Sequence, residues 1–87
     1  MINMDELQAG LSKLTGLDLE QAAREERTAG NNAVLLDTEK SFQARLAAKA
    51  LRMNVHDLKA LPIKEYNKVC LAVMVFLNAP DSETATG

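Results

Sequence analysis

Four apolar residues, Met4, Leu7, Leu11 and Leu14, open the chain at spacings of 3, 4 and 3, which places them on one stripe of a 3.6-residue period. The spacing predicts a first helix, and Gly16 is expected to stop it. A second helix is expected to start at Asp18, a capping residue with Gln21 three places on, and Glu20 stands four residues before Arg24 as a supporting pair. Over residues 19–29 the only apolar side chains are Leu19, Ala22, Ala23 and Ala29, so this helix meets the core along one narrow edge. Gly30, Asn31 and Asn32 predict a turn. The apolar run at 33–36 is too short to show a period; it is read as a loop pinned to the core, with a brief strand as the alternative.

Asp37 or Thr38 is expected to cap a third helix, in which Phe42, Leu46, Ala50 and Met53 form the buried stripe while Arg45, Lys49 and Arg52 line a neighbouring face. Asn54 ends that helix and suits the start of the next segment, 55–61, which has room for one or two helical turns before Pro62. Pro62 fits the first position of a final helix over 63–78. There Ile63, Tyr66, Cys70, Val73, Met74 and Leu77 share one broad face, the expected core contact. The opposite face begins with Lys64, Glu65 and Lys68 and then becomes Leu71, Ala72, Val75 and Phe76, so the C-terminal half is apolar all round. Such a helix is expected to be buried on every side. Residues 79–87 lack a large apolar group and are read as a disordered tail after a helical domain over 1–78. The fold class expected is all-α, a small single-domain bundle of about four helices plus one short connecting helix.

Length sharpens that picture. A chain of 87 residues and 9.5 kDa suits one small domain, and area scaling leaves it burying only roughly 60% of its unfolded surface. A partner that covers more surface therefore matters. One cysteine, Cys70, excludes an internal disulfide, and no basic stretch precedes an apolar core as in a signal peptide; a reducing cytosol is expected. The longest apolar run, 69–77, is about 14 Å of helix and does not cross a membrane. Residues 1–37 hold seven acidic and three basic groups, 38–68 three and seven, and the remainder Asp81 and Glu83. Those balances of −4, +4 and −2 permit an acidic partner or head-to-tail self-association, and the middle is too weakly basic for a dedicated polyanion binder.

The ingredients of catalysis are scarce: no catalytic, cofactor-binding or metal-ligating residue is assigned. Adjacent helical residues point about 100° apart, so His56 and Asp57 are read as surface residues, and Cys70 as a small hydrophobe within its apolar run. No glycine-rich phosphate loop is present. Arg45, Lys49, Arg52 and Lys59 allow a second reading, a small helical DNA-binding regulator, because the third helix, the Asn54 turn and the short helix loosely resemble a helix-turn-helix. That short segment carries Val55, Leu58, Ala60 and Leu61 and stops at Pro62, which is poor material for a recognition helix, so nucleic acid is the weaker partner. The apolar group Leu71, Met74, Val75 and Phe76 calls instead for a covering surface from the same subunit, a copy of it or another protein. A plain helical dimerisation module is a third reading.

The order of several short pieces resembles the small tail assembly chaperones of long-tailed bacteriophages and prophages. The pieces are Leu14-Thr15-Gly16 with Asp18-Leu19, the Ala23-Arg24-Glu25-Glu26 run, the alanine-rich helix at 42–51, Asp57-Leu58 with Leu61-Pro62, Tyr66, Ala72-Val73 and Phe76-Leu77. The resemblance implies a non-enzymatic protein of the host cytoplasm, absent from the mature virion, that coats the long apolar tape measure protein, helps recruit tail tube protein and works as a homo-oligomer without a membrane. Leu71, Met74, Val75 and Phe76 would hold the helical client, Arg45, Lys49 and Arg52 an acidic one. Many relatives begin with a β-hairpin, where this chain has a helix signal.

Overall fold

The computed structural model describes residues 2–79, apart from the Asp37 side chain; of the expected tail at 79–87 only Ala79 is described, and 80–87 lie outside. Five helices follow in order: α1 (Met4–Lys13), α2 (Gly16–Thr28), α3 (Lys40–Leu51), α4 (Val55–Lys59) and α5 (Ile63–Asn78), with a 3₁₀ turn at Leu36–Thr38. The described residues contain no strand, so the apolar run at 33–36 is a loop that enters the 3₁₀ turn at Leu36. It is pinned to the core only at its ends: Leu36 is buried and Ala33 half-buried, while Val34 and Leu35 are 91% and 67% exposed.

The termini show why the helices start where they do. Asn3 Oδ1 accepts from the backbone N–H groups of Asp5 and Glu6 at 2.9 and 3.2 Å and opens α1. Gly16 does not stop it. Leu14 takes an extended conformation, Thr15 becomes the cap of α2, and Gly16 is that helix's first residue. Asp18 sits three residues inside: Thr15 N–H donates to its carboxylate at 2.9 Å while Thr15 Oγ1 accepts from Asp18 N–H at 3.4 Å. That reciprocal pair satisfies two donors at once, which Asp18 as the cap does not. Neither Asp37 nor Thr38 caps α3; Glu39 holds the cap position without a side-chain bond, and Thr38 Oγ1 donates to Leu35 O instead. The helix closes earlier than Asn54, on Arg52, whose φ of 57° is left-handed. Met53 N–H reaches Ala48 O and Arg52 N–H reaches Lys49 O, a Schellman closure built without glycine. Asn54 then caps α4 by accepting from His56 N–H at 2.7 Å, and Pro62 stands one place before α5 rather than in it.

The third helix is the centre of the fold. It packs against α1, α2, α4 and α5, and α1 also lies along α5. Phe42 and Leu46 are buried as the stripe requires, but Gln43, Ala44, Ala47 and Ala48 are buried too, while Ala50 and Met53 are half-buried. Alanines let neighbouring helices approach closely: the α1 backbone at Gly10 lies so near Ala50 that a Cβ at Gly10 would overlap the Ala50 carbonyl. Leu7, Leu11, Leu58, Val69 and Val73 belong to the same buried cluster as Phe42.

Candidate interaction surface

Three residues set the face that α5 buries: Val69, Cys70 and Val73, each at most 1% exposed. The buried sector is therefore rotated toward Val69 from the one the sequence predicts. Ile63, expected in the core, is 78% exposed, and Met74 is half-buried outside the core cluster. Nor is the C-terminal half enclosed on every side. Leu71 and Val75, one turn apart, are each 55% exposed. They form one wall of a shallow groove of about 340 Å³; Met4 and Gln8 of α1 form the other, with Ala72 and Lys68 completing it.

Phe76 belongs elsewhere. Half-buried, it packs on the core and lines a separate apolar cleft of about 210 Å³ with Leu11, Leu14, Leu19, Leu46 and Leu77, where the corner between α1 and α2 meets the end of α5. Of the four apolar residues that the sequence groups together, the structure thus brings Leu71 and Val75 to one exposed surface and sets Phe76 and Met74 apart from it. The groove's Met4 was legible only as a core residue, because a stripe read from one helix does not show where the next helix ends.

Arg45 and Lys49 turn toward the carboxylates of α2, whereas Arg52 and Lys59 are exposed. Arg45 Nε donates to Glu26 Oε1 at 3.0 Å, with the Arg45 side chain 17% exposed, and a second guanidinium nitrogen lies 3.6 Å from Glu25. Lys49 reaches Glu25 at 3.5 Å, and Lys59 donates to Ser41 Oγ at 2.7 Å. Only Arg52, of the three residues on the predicted basic face, has no ion pair among the described residues. The hub of this network is Glu26, which sequence reasoning placed on a solvated helix and the structure buries. Its carboxylate accepts from Asn31 Nδ2 at 2.9 Å and Ser41 Oγ at 2.8 Å as well as from Arg45. Burial pushes its pKa up, but the three hydrogen bonds and the Arg45 charge together hold it below the ordinary glutamate value.

Cys70 and Tyr66 occupy the inner side of α5. Burial, which outweighs a hydrogen bond from Tyr66 and the charges of Lys40 and Lys59, pushes the Cys70 thiol up. Burial is also the main reason that the Tyr66 hydroxyl is pushed up to about 12, helped by Cys70 and by the negative Glu26. Both groups stay protonated at neutral pH. His56 and Asp57 are exposed, and the described residues contain no cluster of three or more metal-ligating side chains. No described helix is long and apolar enough to cross a membrane.

No known protein family, curated protein or solved structure matches this chain.

Proposed function

We propose that this chain is a tail assembly chaperone of a bacteriophage or prophage, a non-enzymatic protein of the host cytoplasm that shields the tape measure protein through the groove between α1 and α5. The observation that carries the reading is the exposed Leu71 and Val75 pair, one turn apart on α5 and framed by Met4 and Ala72. Covering that pair removes on the order of 200 Å² from water, worth roughly 5 kcal/mol before the costs of ordering a partner. Weak, repeated contacts of that size suit a protein that must bind many places on a long helical client and later release it. The order of the sequence pieces from Leu14 to Leu77 supplies the identity of the client, and tail tube protein is a further partner on the same reasoning.

The test is coexpression with the tape measure protein. The unaltered chain should keep that protein soluble and copurify with it, whereas Leu71→Asp with Val75→Asp should lose the complex while keeping its helical circular dichroism. A complex that survives the double substitution contradicts the reading.

A further inference from the structure

The groove runs directly into a basic strip. From Leu71 toward the start of α5, the same face carries Lys68 and then Lys64, both exposed, at intervals of three or four residues, so about 5 Å of helix axis separates each from the next. Lys68 itself lines the groove, and no carboxylate does. Neither lysine has an ion pair among the described residues, unlike Arg45 and Lys49. The one carboxylate of the first turn of α5, Glu65, is engaged across the helix pair, accepting from Ile2 N–H at 3.0 Å.

We propose that the groove accepts a single amphipathic helix whose apolar residues seat against Leu71, Val75 and Met4, and whose next two turns present carboxylates to Lys68 and Lys64. This rests on the chaperone reading and specifies the segment of client that it selects. A second copy of the chain fits less well. A parallel pairing through this face sets Lys64 and Lys68 against themselves. The apolar pair, on the order of 200 Å², also falls far short of the roughly 800 Å² per partner that a stable pairing of two globules buries. A lone helix needs less area, and its charges set selectivity at the exposed rim.

Two synthetic peptides of equal length and helicity test this against the full chain by fluorescence anisotropy. Both carry the same leucine stripe; one follows it with glutamates over two turns, the other with lysines. The glutamate peptide should bind roughly tenfold tighter at low salt, with the gap closing as salt screens the rim. Lys64→Glu with Lys68→Glu should invert the preference, and Leu71→Asp with Val75→Asp should lose both peptides. Equal affinities, a preference that survives the charge reversal, or no binding of either peptide overturns the proposal, as does sedimentation showing a dimer that the Leu71 and Val75 substitutions dissolve. A charge-blind groove that still needs Leu71 and Val75 overturns the proposal alone; retention of the tape measure complex by the Asp variants overturns the chaperone reading.

Discussion

A carboxylate with 1% of its residue surface exposed must be held by donors or neutralised, and Glu26 is held by three, contributed by Asn31, Ser41 and Arg45. Glu26→Ala should therefore cost about 3 kcal/mol in urea unfolding, because it leaves the largely buried Arg45 guanidinium without its main partner. Since folding lowers the Glu26 pKa, the unfolded chain binds the proton more readily. The contribution is complete above the ordinary glutamate value and is lost as pH falls through the lower folded value. Acid titration of stability should show that loss in the parent chain and not in Glu26→Ala. At Gly10 two effects compete: alanine gains about 1 kcal/mol of helix propensity, but its Cβ meets the Ala50 backbone, which has no side-chain freedom to yield. Gly10→Ala should lose stability, whereas Gly16→Ala, with open space around it, should gain a few tenths of a kcal/mol. Arg52→Gly should add about 1 kcal/mol by relieving a left-handed residue. Neither Glu26 nor Gly10 was legible in the sequence, because the partners of Glu26 lie 5, 15 and 19 residues away and Gly10 shows its purpose only once α3 crosses it.

Helices are a different matter, since the periodic leucines of α1 and the Phe42 and Leu46 stripe of α3 mark them directly. What period alone missed is which helix lies in the middle. Ala44, Ala47 and Ala48 look neutral in a pattern of large and small residues, yet they let the neighbours of α3 close around it. For α5 the apolar residues outnumber those that one face can hold, so the sequence left its rotation undetermined, and packing against α1 and α3 set it on Val69 and Val73. Substitutions along α5 should separate the two sides. Val73→Ala should cost about 2 kcal/mol through the cavity it leaves, Leu71→Ala less than about 0.5 kcal/mol, both measured by urea unfolding. Phe76→Asp should unfold a large share of the molecules, because its ring packs on the core.

For the whole molecule, one central helix packed against four others leaves a small body with an apolar cleft at Phe76 and an apolar groove at Leu71 and Val75. Their difference is physical: the cleft is backed by core residues such as Leu11 and Leu46, whereas the groove places half-exposed side chains at the surface. A surplus of apolar surface was legible from the length of the chain and the composition of 69–77; its location was not, because it lies along the seam where the start of α1 meets α5 without covering Leu71 and Val75. Hydroxyl-radical footprinting of the chain, alone and with the tape measure protein, tests the docking claim most directly. Leu71 and Val75 should oxidise in the free chain and become protected in the complex, with Val69 and Val73 unreactive in both. Protection that spares Leu71 and Val75, or their silence in the free chain, would contradict it.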